Sequence, residues 1–138
     1  MSTRWTPEQK KAIEERDNNI LVSAAAGSGK TAVVVQRVVD MVTDKNNPVY
    51  INRLLVATFT NAAATEMKER IFSALQEKIK ENPEDTYIKE QLVLLGQSQI
   101  STVHSFCTNL IRENFHLLGI RHDFDIADEV VLSKIRKV

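Results

Sequence analysis

A single cysteine, Cys107, stands in the 138 residues, so the chain can close no internal disulfide and can build no cysteine-based zinc site. A reducing cytoplasm is the expected setting. Charge of one sign is missing too: 18 Lys and Arg balance 18 Asp and Glu. No global field therefore draws the chain to nucleic acid or membrane, and such a partner must be met by a local surface. No apolar stretch approaches the roughly 20 residues of a membrane span, and Met1 to Trp5 lacks the apolar core of a secretory signal. Internal repeats and low-complexity linkers are absent as well. What remains, 43% hydrophobic and 26% charged residues, is the balance of a globular chain with the size of one domain.

Short apolar runs alternate with longer helical patterns, which predicts an α/β fold with a mainly parallel sheet. Thr6-Pro7-Glu8-Gln9 opens a helix, with Thr6 as cap, Pro7 at the first helical position and Gln9 returning a bond to the cap. Ile20 to Ser23 reads as a buried strand, followed by a helix from Thr31 to Met41 whose valines need tertiary packing to hold it. After the break at Asn46-Asn47-Pro48, Leu54 to Ala57 reads as a second strand. From Asn61 the series Ala64, Met67, Ile71, Leu75 and Ile79 draws one apolar stripe along a helix. Asn82-Pro83 is expected to start another helix, with Leu92 and Leu95 inward and Gly96 ending it. Ile100 to Val103 reads as a third strand, Ser105 to Leu118 as a helix stopped by Gly119, and Asp128 to Val138 as a last helix.

The segment Ala24-Ala25-Ala26-Gly27-Ser28-Gly29-Lys30-Thr31 sits between an expected strand and an expected helix, the context of a phosphate-binding P-loop. Small residues let successive N–H groups turn inward on phosphate oxygens, and the following helix adds its positive end. Lys30 would then reach the β- and γ-phosphates of ATP, and the Thr31 hydroxyl would ligate Mg2+. Ala24 stands where the general pattern has glycine, a departure that fits only if its φ is negative. The plain alternative is a turn that merely joins strand to helix. The coincidence of strand, glycines, Lys-Thr and helix in that order argues against it. Gln9 carries two readings, closure of the capping box with Thr6 and pairing of its amide with the N6 donor and N7 acceptor of adenine.

Thr6-Pro7-Glu8-Gln9, the loop ending Gly29-Lys30-Thr31, the stretch LLVATFTNAAATEMKER from Leu54 to Arg70, and Ser101 to Cys107 (STVHSFC) follow one another along nearly the whole chain. In this order and spacing they resemble the Q motif and motifs I, Ia and Ib of superfamily 1 DNA helicases of the UvrD, Rep and RecB kind. Within that group AAAGSGKTAVVV, STVHSFC and the later FDIADE most resemble the AddA-type subunit of the helicase-nuclease that processes double-strand DNA ends. Ala32 points the same way, since UvrD and Rep relatives usually carry arginine after the Lys-Thr pair.

The resemblance implies a P-loop NTPase fold, with residues 1–138 as the N-terminal part of RecA-like motor domain 1A and about 119–138 leading toward a helical insertion. It implies, for a full-length protein, ATP-driven 3'-5' translocation on single-stranded DNA, exonuclease action in double-strand break repair and recombination, and an AddB-type partner subunit. DNA contacts would fall to Thr58, Phe59, Thr60 and Asn61 where a strand meets a helix, with Phe59 stacking on a base, and to His104 and Ser105 closing the third strand. Without the resemblance, Thr60 or Asn61 as a helix cap and Phe59 as core would be the simpler reading.

Cys107 beside His104 has no third orienting group, so a nucleophilic pair is rejected and the thiol is expected to be buried and inert. His116 and His122 lack partners at metal-ligand spacing and are expected at the surface. Hydrolysis requires a carboxylate for magnesium and an arginine on the transition-state charge. Asp128-Glu129 is the only Asp-Glu pair in reach, and Phe124 to Ala127 before it is not a continuous apolar strand, so the chain is expected to bind nucleotide without unwinding DNA. A small stand-alone P-loop kinase and a non-catalytic nucleotide-binding module are the alternatives. The guanine-reading Asn-Lys-x-Asp motif of GTPases does not occur.

Overall fold

The computed structural model describes residues 5–127 and 129–136. Contacts divide them into two units, one reaching to Val103 and one from His104 onward. In the first, helix α1 spans Pro7–Glu14 and α2 spans Lys30–Thr43; a 3-10 turn at Ile51–Arg53 leads to strand β1, Leu55–Thr58. Helix α3, Asn61–Glu81, and α4, Thr86–Leu94, are followed by a second 3-10 turn at Leu95–Gln97 and strand β2, Gln99–Thr102. The two strands pair in parallel, Leu55 opposite Gln99 and Thr58 opposite Thr102. The result is an α/β arrangement, a two-stranded parallel sheet flanked by helices.

The predicted stripe on α3 is the spine of the core. Ala64, Met67, Ile71 and Leu75 are buried and Ile79 packs at the edge. They meet Val38, Val39 and Val42 of α2, Ile88 of α4, and Ile51, Leu95 and Ile100. Burial explains why a valine-rich segment stays helical: each valine costs only about 0.5 kcal/mol of helix propensity, while full burial of its side chain is worth about 1.5 kcal/mol or more. Within the sheet, Ile100 and Val56 face this core, whereas Leu55, Ala57 and Gln99 lie exposed on the other face.

Several expectations shift. Ile20 to Ser23 is not a strand. The segment pairs with no described strand, and Leu21 is 97% exposed. A strand exists by its ladder partners, so apolar content alone cannot make one. Helix α4 begins three residues beyond Pro83, because the N–H of Asp85 turns back to the carbonyl of Asn82 and the Asp85 carboxylate caps the N–H of Ile88. That carboxylate is 4% exposed and pairs with Lys45 at 2.6 Å. The hydrogen bond from Lys45 is the main cause that holds its pKa below the ordinary value. Gly96 lies inside the second 3-10 turn and does not close α4.

A buried glutamine secures the approach to β1. Gln91, fully buried on α4, accepts the N–H of Ile51 at 2.9 Å through Oε1. The bond spans 40 residues of sequence and fixes the turn from which β1 departs.

Helix α5, Val103–Glu113, starts on the last residue of the first unit, and from His104 on the second unit holds the rest of it, α6 at Phe115–Leu118 and α7 at Glu129–Ile135. The predicted third strand ends at Thr102, so His104 and Ser105 belong to the first turn of α5 and do not close a strand. The expected single helix to Leu118 breaks at Asn114, whose side chain donates back to the carbonyl of Leu110 at 2.8 Å. Gly119 ends α6 in the left-handed conformation, as expected. Cys107 is exposed, contrary to the buried thiol expected, because α5 buries none of its residues fully. Asp128, the carboxylate candidate of the sequence, and the end of the last helix at 137–138 lie outside the described residues.

Candidate functional site

Helix α1 opens as its sequence dictates. The hydroxyl of Thr6 accepts the N–H of Gln9 at 3.3 Å, and Oε1 of Gln9 accepts the N–H of Thr6 at 2.9 Å. The Glu8 carboxyl, held by its own backbone N–H and by the Thr6 hydroxyl, has its pKa lowered from the ordinary value. The same Gln9 amide reaches across to the loop, where Nε2 donates to the carbonyl of Ser28 at 3.1 Å.

In residues 24–31, Gly27 at φ 77° and Gly29 at φ 82° supply the two left-handed turns, conformations that cost glycine nothing. Ala24 is not among the residues with positive φ, so alanine is tolerated where the general pattern has glycine. A Cβ on Gly29 would stand 3.4 Å from Nε2 of Gln9, while one on Gly27 would meet nothing within 4 Å. Both glycines therefore serve backbone conformation, since even at Gly29 the added contact would be an ordinary one.

The N–H of Ser28 turns back to Ala25 at 3.3 Å. The first backbone bond of α2 outside its own ladder runs from Val33 to the carbonyl of Gly29. Among the described residues, no backbone carbonyl takes the N–H groups of Gly27, Gly29, Lys30 or Thr31. A row of free donors at a helix start is the arrangement that receives an anion. Lys30 is folded over the loop, its Nζ donating to the carbonyls of Ala24 at 2.8 Å and Ala25 at 2.7 Å. Thr31 is exposed beside it.

A cleft of about 950 Å³ runs from this loop between α1, the segment 18–24 and α2, with Gln9, Leu21, Ser28, Lys30 and Val34 in its wall. That is the size of a nucleotide-scale site. Free amides, a cation, a hydroxyl and an amide-bearing apolar wall fit a nucleoside triphosphate with Mg2+.

Thr58, Phe59, Thr60 and Asn61 form the corner between β1 and α3. The hydroxyl of Thr60 caps α3 by accepting the N–H of Ala63 at 3.1 Å, and the Thr58 hydroxyl donates to the Thr60 carbonyl at 2.9 Å. Phe59 is 104% exposed and so is not core. The capping half of the simpler reading stands and its other half fails. His104 is exposed and Ser105 half-buried on α5 in the second unit. His116 and His122 are exposed, and both ring-pack on Phe115, at 5.7 and 5.9 Å.

Two residues that sequence reasoning passed over make long-range ties, Gln91 to the turn before β1 and Arg37 to the end of α1. Gln91 carried one signal, a polar residue among the inward positions of an apolar helix. Arg37 carried none: its Nη1 donates to the carbonyls of Ala12 at 2.8 Å and Ile13 at 3.4 Å, across 24 or 25 residues.

Comparison with known proteins agrees with the motif order. An ATP-dependent helicase/nuclease subunit of Clostridium acetobutylicum is 57% identical over 134 residues, 97% of this chain and 11% of that protein. The protein of the same name from Clostridioides difficile is 52% identical over 136 residues, 99% of this chain and 11% of its own length. That from Thermoanaerobacter sp. strain X514 is 55% identical over 129 residues, 94% of this chain and 10% of its own length. The chain thus spans about a tenth of the length of these relatives. Residues 5–137 match the UvrD/REP helicase N-terminal domain, and the chain belongs to that family.

Proposed function

We propose that this chain is the ATP-binding part of a RecA-like P-loop motor domain in a helicase/nuclease subunit. The observation that carries the reading is the set of N–H groups of Gly27, Gly29, Lys30 and Thr31 that no backbone carbonyl takes, with the Lys30 ammonium folded onto the same loop. In this reading Ala24, Ala25, Ala26, Gly27, Ser28 and Gly29 curl around the phosphates, Lys30 neutralises their charge, and the Thr31 hydroxyl holds Mg2+. Mg-ATP, when bound, would supply a phosphoanhydride bond and the anionic charge that these groups would hold. For this chain by itself the proposal is confined to binding, since the sequence places neither a magnesium-holding carboxylate nor a transition-state arginine in motif context.

Gln9 would read the base. Its amide orientation follows from its partners: Thr6 N–H can only donate and so faces Oε1, and the Ser28 carbonyl can only accept and so faces Nε2. One lone pair on Oε1 and one proton on Nε2 remain, matching the N6 donor and N7 acceptor of adenine. Guanine would set O6 against Oε1, acceptor against acceptor. In the longer protein the reading extends to 3'-5' movement on single-stranded DNA, repair of double-strand breaks and an AddB-type partner, which rest on the motif resemblance, while the names of the relatives support a helicase/nuclease with more than one subunit.

The test is calorimetric titration of the chain with Mg-ATP and with magnesium tripolyphosphate. Saturable binding of both is expected, and absence of both sinks the proposal. For the nucleic-acid corner, Phe59→Ala is expected to weaken binding of an oligo-dT strand by about 5- to 100-fold, the worth of one stacked base, with Mg-ATP binding unchanged. Fluorescence anisotropy reads it, and an unchanged affinity would remove Phe59 from the DNA track.

A further inference from the structure

Helix α1 has eight residues and buries only Ile13, too little to hold itself in place. An isolated helix of two turns is marginal in water. Its position relative to the loop and α2 is set by polar ties at both ends. At the N-terminal end Gln9 is bound to the Ser28 carbonyl. At the C-terminal end Arg37, from the third turn of α2, reaches over to the carbonyls of Ala12 and Ile13. Arg16 adds its own Nη1 to the Ile13 carbonyl at 2.6 Å. These carbonyls are the ones a helix end leaves without partners, and a cation there also meets the negative end of the helix dipole. Partial burial is the main cause that lowers the pKa of Arg37 from its ordinary value, with Arg16 adding to it. A half-buried charge is retained there to make those bonds.

We infer that Arg37 is a positioning residue for base recognition: it locks α1 onto α2 so that the Gln9 amide is presented at a fixed angle beside the phosphate loop. The inference rests on the proposed ATP site and assigns Arg37 no contact with the nucleotide. Gln9 lies four residues before Ile13, about 6 Å along the helix axis, so a swing of α1 about the Gln9–Ser28 bond leaves the amide at the loop but changes the angle at which it faces the base. The N–H groups of Lys30 and Thr31 lie in the first turn of α2 and the Lys30 ammonium bonds the carbonyls of Ala24 and Ala25, so none of these groups depends on the C-terminal tie of α1. Phosphate affinity and base selectivity therefore separate.

The experiment compares Kd for Mg-ATP, Mg-GTP and magnesium tripolyphosphate in the parent chain, Gln9→Ala, Arg37→Met, Arg37→Lys and the Gln9→Ala/Arg37→Met pair, with thermal melts of each. The parent should prefer ATP to GTP. Arg37→Met, which keeps the alkyl stem, is expected to cut that preference by about 3- to 10-fold, the worth of one hydrogen bond, with tripolyphosphate affinity unchanged. The double variant should lose no more than Gln9→Ala alone, because the arginine acts through the glutamine. Arg37→Lys, able to reach one carbonyl, should keep part of the preference. An Arg37→Met or Arg37→Lys chain with the parent ATP-to-GTP ratio overturns the inference, as do losses that add to those of Gln9→Ala, or a loss of tripolyphosphate binding in parallel with ATP. A parent chain that binds tripolyphosphate without preferring ATP to GTP overturns it too while sparing the phosphate site. One that binds neither tripolyphosphate nor ATP fails the proposed function itself.

Discussion

Lys30→Ala is expected to lower Mg-ATP affinity about 100- to 1000-fold while leaving the fold intact. Among the described residues Nζ of Lys30 bonds only the carbonyls of Ala24 and Ala25, and both residues are exposed. Water takes over those carbonyls in the variant, so stability should change by no more than about 0.5 kcal/mol. Binding loses far more. A hydrogen bond to a charged group is worth about 1.5–3 kcal/mol, and an ammonium set between two phosphates makes more than one. A total near 3–4 kcal/mol corresponds to the stated range. Calorimetry on the variant and the parent decides it, and a loss smaller than about tenfold would mean the backbone amides alone do the binding.

Leu75→Ala carries the largest expected effect on stability. Leu75 is wholly buried on α3 and packs in the cluster shared with Val42, Ile71 and Ile88. Truncation removes the transfer energy of three carbons and leaves a cavity, a cost of about 2.5–5 kcal/mol. Against the usual total of about 5–15 kcal/mol that is a large share, and at about 4–8 °C per kcal/mol for a unit of this size the melting temperature should fall by about 10 °C or more. Leu75→Met, which keeps the volume, should cost less than about 1.5 kcal/mol. Urea or thermal unfolding distinguishes them, and equal stability of the two variants would show that α3 is not the spine of the core. Helix α3 also carries the Thr58–Asn61 corner at its start, so its loosening blurs that surface as well.

Much of this was legible in the sequence where the governing interactions are local. The capping box of Thr6 and Gln9 lies within one turn, the α3 stripe follows from helical period alone, and Gly119 ends its helix in the left-handed conformation that few other residues tolerate. What escaped depends on distant partners. Ile20 to Ser23 has the composition of a strand, but pairing is decided by another segment, and none described supplies it. Gln91 and Arg37 act over 40 and 24 or 25 residues, distances at which spacing carries no signal. At Asn114, a side chain bonding the backbone four residues back interrupts a helix that apolar periodicity would continue. Of the candidate site, the order of residues 24–31 was plain, whereas the resting position of Lys30 was not, since flexible side chains choose partners only once the loop has formed.

That resting position has a kinetic and thermodynamic corollary. With its ammonium fastened to its own loop, the site holds a built-in competitor that any incoming anion has to displace. The measured affinity is then the intrinsic one scaled by the share of molecules in which the catch is open. In the proposed site, the side chain that a phosphate would displace is the one that would then hold it.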